Sequence, residues 1–217
     1  SLDLRRNSVA SLLTMTNQSS LENYPRLVLA SQSPRREQLM RSAGYHFEVI
    51  HPDPAAEADF SFDGPFDQLV QQLALRKAAD VAARISDGLV IGCDTVACCQ
   101  QQLLGKPLDQ DDARRMLRLM RGQRHSVLTG ICLWHRPSDT RRTAVAKTTL
   151  QMDLLRDEQI ENYLATGQWQ GKAGGFGFQD RLEWIQILEG SESNVVGLPM
   201  DLLDQFLQQR HWENSAP

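Results

Sequence analysis

Apolar positions along the chain change period several times, and the changes mark the elements. Leu27-Val28-Leu29-Ala30 is a short apolar run that reads as a buried strand. Ser31-Gln32-Ser33 follows it, and then a helix running from Pro34 to a stop at Gly44, with Ser33 as N-cap and proline in the first turn. A second helix is predicted from about Pro65 to Ile85, where Phe66, Leu69, Val70, Leu73, Val81 and Ile85 form one stripe. Gly88 leads into a second buried strand, Leu89 to Cys93, which the pattern ends at Asp94. A third helix spans about Asp109 to Arg121. Its acids, Asp111 and Asp112, sit in the first turn and its bases, Arg118 and Arg121, near the end, as the helix dipole favours.

Beyond Gly122 the period becomes two. His125 to Trp134 reads as a strand, Pro137-Ser138-Asp139 as a turn, and the alternation from Ala144 to Leu154 as a half-buried strand, so the pair predicts an antiparallel hairpin. A helix from about Asp157 to Thr166, a glycine-rich loop over 171–177, a strand near Trp184 to Leu188 and a last helix opened by Pro199 complete the series. Ser191-Glu192-Ser193-Asn194 reads as a polar loop. The predicted class is α/β with a mixed sheet, because the hairpin interrupts any βαβ ladder. Residues 1–25 read as a loose N-terminal tail in which Met15 is a candidate start, 26–210 as one domain, and 211–217 as a C-terminal tail.

Composition narrows the function classes. Hydrophobic residues make up 41% of the 217, enough to build a core. The formal charge of −4 argues against broad binding to nucleic acid or to anionic membrane. No stretch approaches the roughly 20 apolar residues of a membrane helix, and the N-terminus has no secretory pattern. The four cysteines include the adjacent Cys98 and Cys99, a spacing that suits neither a disulfide framework nor a zinc site, and they read as reduced core thiols. These features together predict a cytoplasmic protein.

Several positions carry candidate chemistry. The segment Ser31 to Arg36 delivers two serines and two arginines, Arg35 and Arg36, to a helix N-terminus, where free N–H groups and the dipole attract anions; solvated arginines on a capped helix are the plainer reading. Asp94 ends an apolar strand, where a carboxylate serves catalysis, binds a metal or caps the next turn. Lys77 falls within the apolar stripe of the second helix, either snorkelling or aimed at an anion. Lys106, in Gly-Lys-Pro, and Lys172, in Gly-Lys-Ala-Gly-Gly, read singly as surface lysines and gain meaning only by convergence. The five histidines lack zinc-site spacing, and no Walker A loop occurs.

Taken in order, Leu29-Ala30-Ser31-Gln32-Ser33-Pro34-Arg35-Arg36, Leu75-Arg76-Lys77-Ala78, Ile91-Gly92-Cys93-Asp94-Thr95-Val96 and Gly105-Lys106-Pro107 resemble the signatures of the Maf family. So do Gly122 to Gly130 with His125 and Thr129, Lys172-Ala173-Gly174, and Glu189-Gly190-Ser191 through Ser193-Asn194-Val195-Val196-Gly197-Leu198-Pro199. The resemblance implies an elongated, mixed-sheet, two-lobed fold like that of inosine-triphosphate pyrophosphatases, usually homodimeric. It implies hydrolysis of a nucleoside triphosphate between the α and β phosphates with a divalent cation, Mg²⁺ or Mn²⁺. It further implies Asp94 as catalytic base or metal ligand, and Ser31, Ser33, Arg36, Lys77, Lys106 and Lys172 as phosphate-binding groups. The metal carboxylate that the family carries after its second strand falls on Glu57, within an irregular stretch from His51. Three positions that mark dTTP/UTP enzymes read Arg35, Thr95 and Gln179 here. The alternatives are 7-methyl-GTP or another modified nucleotide as substrate, and a nucleotide-binding regulator of septum formation. Phe176-Gly177-Phe178-Gln179 is bulkier than the family's usual Tyr-Gly-Ile-Gln.

Overall fold

In a computed structural model, the described residues are 25–58, 60–178 and 183–209. The two predicted tails, the candidate start at Met15 and the candidate base-reading residue Gln179 lie outside them. Seven strands form one sheet: β1 (Leu27–Ala30), β2 (Glu48–Val49), β3 (Gly88–Cys99), β4 (Gln102–Leu104), β5 (Arg124–Arg136), β6 (Arg141–Met152) and β7 (Ile185–Glu189). Their order is β2-β1-β3-β5-β6-β7, with β4 joined to β3 off this path. β1 runs parallel to both β2 and β3; every other pairing is antiparallel, so the sheet is mixed as the hairpin predicted. The helices are α1 (Pro34–Ser42), α2 (Phe66–Ala82), α3 (Gln110–Met120), α4 (Asp157–Ala165), α5 (Glu192–Val196) and α6 (Met200–Gln208).

β3 is longer than its sequence pattern indicated. It continues through Asp94 to Cys99, so Asp94 stands in mid-strand instead of at a strand end. The apolar run breaks there because the neighbour on one edge changes. β1 pairs with β3 only from Leu89 to Gly92, and β4 takes over only at Ala97. Between them, residues 93–96 are held on the other edge alone, by β5. Asp94 and Thr95 therefore occupy a gap in the sheet, where one backbone edge of β3 has no neighbouring strand.

The gap also divides the hydrophobic core. On one face, Leu89, Ile91 and Cys93 of β3 pack with Met40, Leu198, Leu203 and Phe206. On the same face but past the gap, Ala97 and Cys99 pack with α3, α4, Trp169 and Phe176. These two clusters make the two lobes. The opposite face of the first lobe is covered by α2, whose Ala74, Ala78 and Val81 meet Val28, Val90 and Cys132.

α2 lies unusually close to the sheet. A Cβ at Gly92 would come within 2.3 Å of the Ala74 carbonyl oxygen, and one at Gly130 within 2.2 Å of that of Val70. Only glycine permits this approach, and it brings the middle of α2 down to Asp94, the ladder partner of Gly130. Polar side chains on α2 and just after it also fix the irregular segment 51–58. Arg76 and Asp80 of α2 bond to the Ala56 carbonyl (2.8 Å) and the Asp53 amide (2.9 Å), and Arg84, two residues past its end, donates to the His51 carbonyl (2.7 Å).

Two further readings are corrected. Ser191–Asn194 is not a loop: Ser191 caps the short helix α5 through the Asn194 amide (3.3 Å). Three cysteines are buried as expected, but Cys98 is only half-buried; among the described residues all four are free thiols. No helix among the described residues is long and apolar enough to cross a membrane.

Candidate active site

A cleft of about 590 Å³ opens where the sheet is split, within the size range of small-molecule sites. Five cationic side chains line it: Arg35, Arg36, Lys77, Lys106 and Lys172. They come from α1, α2, the loop after β4 and the glycine-rich loop, so the convergence that no single lysine revealed is present. Ser31, Ser33, Asp94, Thr95 and Glu57 line the same cleft. Every predicted site residue that is described is thus brought together there.

Asp94 and Lys77 form its centre. Lys77 is buried, yet its ammonium touches two carboxylates, Asp94 Oδ1 at 2.6 Å and Glu57 Oε1 at 2.9 Å. Lys77 is therefore no snorkelling surface lysine. The side chains of Lys77 and Asp94 keep 10% and 13% of their exposure, so the pair is largely desolvated and each partner depends on the other. Asp94 Oδ2 has no hydrogen bond among the described residues and is the oxygen left for an incoming group. Glu57 reaches this place because the hydrogen bonds from α2 pin the segment around it. This is the signal that an irregular stretch could not give.

A divalent cation fits this donor set. Two carboxylates that contact one ammonium lie near enough for one small cation to take that position. No three of His, Cys, Asp and Glu cluster into a closed metal cage among the described residues. A one- or two-carboxylate site completed by substrate phosphate is the pattern magnesium and manganese favour.

The other cations are held differently. Lys106 lies near Lys77 and Arg36. Burial first, and then the charges of Lys77 and Arg36, push its ammonium below the ordinary lysine value, while Asp94 and Glu57 pull the other way. A polyanion in the cleft removes the repulsive part of that cost. The Lys172 side chain lies along Gly177, where a Cβ would stand 2.8 Å from Nζ. Arg35 crosses between the lobes and donates to the Gly171 carbonyl (2.9 Å).

Arg36 is buried, with Nε donating to the Gly197 carbonyl (2.6 Å), Nη1 to Ser31 Oγ (3.3 Å) and Nη2 to Thr95 Oγ1 (3.0 Å). Ser31 Oγ also accepts from the Ser33 amide (3.1 Å) and so shapes the loop before α1. Ser33 occupies the N-cap position but makes no capping hydrogen bond through its side chain. Its hydroxyl is left for another acceptor or donor.

Residues 26–210 match the sequence pattern of the family described as Maf-like protein. The chain belongs to that family. A curated relative from Rhodopirellula baltica, named dTTP/UTP pyrophosphatase, is 47% identical over 191 residues, 88% of this Maf-like chain and 84% of its own length. Another of the same name, from Geotalea uraniireducens, is 42% identical over 175 residues, 80% of this chain and 89% of its own. A solved structure, protein VC0702 from Vibrio cholerae, superposes on 89% of this chain and 99% of its own at a TM-score of 0.43 and 12% identity.

Phe176 and Phe178, the bulky departure from the family's pattern, form part of the wall of the site. Sequence reasoning missed the role of two residues. Thr129 and Asn194, fully buried beneath the site, carry hydrogen bonds that reach Arg36 through Thr95. The one available signal was a threonine at each of two strand positions whose neighbours two residues away are apolar.

Proposed function

We propose that this chain is a nucleoside triphosphate pyrophosphatase that hydrolyses dTTP and UTP to the monophosphate and pyrophosphate. The observation that carries the reading is the cleft itself: five cations line it together with Asp94, whose Oδ2 has no hydrogen-bond partner among the described residues, in a gap of the sheet. A triphosphate bears about four negative charges near neutral pH, and an acidic chain holds it only by concentrating cations locally. The names of the relatives supply the nucleotide class.

In this mechanism Asp94 Oδ2 accepts a hydrogen bond from the attacking water and takes its proton as the water oxygen bonds to the α phosphorus. The bond from that phosphorus to the bridging oxygen breaks, and the electron pair leaves with pyrophosphate. Arg36, Lys106 and Lys172 hold the β and γ phosphates and stabilise the charge that develops on the leaving group. Lys77 keeps Asp94 and Glu57 in place until the phosphate arrives. Asp94 and Glu57 would hold a divalent cation, which supplies positive charge against the phosphate oxygens. Ser31 and Ser33 present hydroxyl and amide groups at the start of α1, where the helix dipole favours an anion. Arg35 borders the space beside the glycine-rich loop, whose Gln179 belongs to the pyrimidine preference. A cytoplasmic, homodimeric enzyme is part of the same proposal and rests on the family likeness.

The test is a panel of nucleoside triphosphates, including 7-methyl-GTP, incubated with purified chain and Mg²⁺ or Mn²⁺. Pyrophosphate is expected from dTTP and UTP with the highest kcat/KM. Release from none of them rejects the reading, and preference for the methylated purine moves the chain to the alternative substrate class.

A further inference from the structure

Thr95 is one of three positions at which the family resemblance locates substrate choice, and its surroundings assign it other work. On the face of the sheet that carries both lobes, β3 presents Cys93, Thr95 and Ala97 in succession, and β5 presents Ile131, Thr129 and Val127. Cys93 and Ile131 belong to one hydrophobic cluster, Ala97 and Val127 to the other. The two threonines are ladder partners and form a polar seam between the cores.

The hydrogen bonds of the seam have a fixed direction. A threonine hydroxyl has one proton and two acceptor lone pairs. Thr129 Oγ1 lies 3.1 Å from the Asn194 carbonyl, which only accepts, so its proton goes there. The 2.9 Å contact between Thr129 and Thr95 is then donated by Thr95. The Gly197 carbonyl, 3.4 Å away, competes for the same proton. Thr95 in turn accepts from Arg36 Nη2 at 3.0 Å. The relay runs from guanidinium to Thr95, to Thr129, to a main-chain carbonyl of α5.

That helix is itself anchored. Asn194 Nδ2 donates to the Val127 carbonyl (3.2 Å) and to Thr148 Oγ1 (2.9 Å). Thr148 Oγ1 also accepts from the Ser191 amide (3.1 Å) and donates to the Ser191 carbonyl (3.1 Å).

A uracil or thymine base offers carbonyl oxygens, which need a donor, and an N3–H, which needs an acceptor. Thr95 has no uncommitted proton for the carbonyls, and one of its two lone pairs is already taken by Arg36. The network instead uses three of the five Arg36 N–H groups, on Gly197, Ser31 and Thr95, and leaves one on each terminal nitrogen for an anion in the cleft.

We propose that Thr95 is a positioning residue for the polyphosphate: its hydroxyl fixes Arg36 through the Thr129–Asn194 relay and does not read the base. This deepens the proposed function and rests on it. The consequence is that Thr95 affects all nucleotides alike, and also affects a polyphosphate that has no base.

The experiment measures kcat/KM for dTTP, UTP, dGTP and ATP together with inhibition by inorganic triphosphate, in the full chain with Mg²⁺. For Thr95→Val, kcat/KM is expected to fall about tenfold for every nucleotide that is cleaved, as for loss of a hydrogen bond to a charged group. The ratios between nucleotides stay within about twofold, and inorganic triphosphate inhibits more weakly by about the same tenfold factor. Thr95→Ser, which keeps the hydroxyl, restores both. Thr129→Val, at a residue that does not line the cleft, weakens both in the same direction, and the double variant loses less than the product of the single losses. The proposal is overturned if Thr95→Val changes the dTTP to dGTP ratio while inhibition by inorganic triphosphate is unchanged. If Thr95→Val does not fold, Thr129→Val decides by the same two readouts. A wild-type chain that cleaves no triphosphate would reject the proposed function, yet binding of inorganic triphosphate would still show whether Thr95 positions Arg36.

Discussion

Lys77 holds Asp94 at 2.6 Å from a helix whose own backbone touches the sheet at Gly92 and Gly130. The carboxylate of the site, the cation that steadies it and the two glycines that set their separation form one mechanical unit. Polar chemistry and close packing are coupled here, and each can be perturbed alone.

Replacing Asp94 by asparagine removes the charge and keeps the shape. Activity is expected to drop by about 100-fold or more, since a positioned acid–base group contributes roughly that much. The Lys77 ammonium keeps Glu57 as a partner, so the loss of stability should stay near 1–3 kcal/mol instead of that for an orphaned buried charge. Pyrophosphate release and urea denaturation of the same preparation check both parts; full activity in Asp94→Asn takes Asp94 out of the mechanism.

The glycines make the complementary prediction. In Gly130→Ala a methyl group meets the Val70 carbonyl at 2.2 Å, with backbone on both sides and no side chain to swing away. α2 must lift, at a cost of about 3 kcal/mol for an overpacked core. Lys77 lifts with it, so kcat/KM should fall although no cleft residue has changed. An unaltered denaturation midpoint for Gly130→Ala would rule out this close contact between α2 and β5.

Much of this arrangement was legible in the sequence, for identifiable reasons. β1, the helices other than α5 and the β5–β6 hairpin have strong periodicity and clear start or stop residues, so their existence follows from local pattern. The length of β3 does not, because Asp94 and Thr95 break an apolar run that continues only by pairing with β5 and then β4. α5 does not follow from pattern because its five residues, Glu-Ser-Asn-Val-Val, carry no apolar period; Ser191 and the Thr148 side chain hold it instead. Lys77 looked like a misplaced lysine until its two carboxylates, from distant segments, stood beside it. Thr129 and Thr95 stand out only as threonines flanked two residues away by apolar positions, and the partners that join them to Arg36 and Asn194 come from three elements whose pairing spacing does not reveal.

Glu57 offers a test of the metal. Its carboxylate shares Lys77 with Asp94 and has no other partner among the described residues. In Glu57→Gln the Mg²⁺ or Mn²⁺ concentration for half-maximal rate should rise about tenfold, the lower end of what disturbing a metal's surroundings costs. The maximal rate at saturating metal should change less. A chelator should abolish wild-type activity, and excess Mg²⁺ should restore it. If metal titrations of wild type and Glu57→Gln coincide, Glu57 does not contribute to cation binding.

His125 supplies the last prediction, about acid stability. The ring is buried against the edge of Phe176, with centroids 5.2 Å apart, and neither nitrogen has a hydrogen-bond partner among the described residues. Burial pushes the imidazole from its ordinary 6.5 down to about 4; the Gln123 main chain opposes this weakly without a hydrogen bond of normal geometry. The neutral ring is the folded form, so the unfolded chain binds the proton more tightly. The stability this contributes is fully present above pH 6.5 and is lost as pH falls toward about 4, by about 3 kcal/mol in total. His125→Phe keeps the aromatic contact and removes the titration, so the slope of stability against pH between 6.5 and 4 should become shallower by that amount. Phe176 borders the cleft, and wild-type activity should therefore fail in acid together with stability. Urea midpoints measured at intervals across this window compare the two chains, and parallel curves would mean that His125 is not the group responsible.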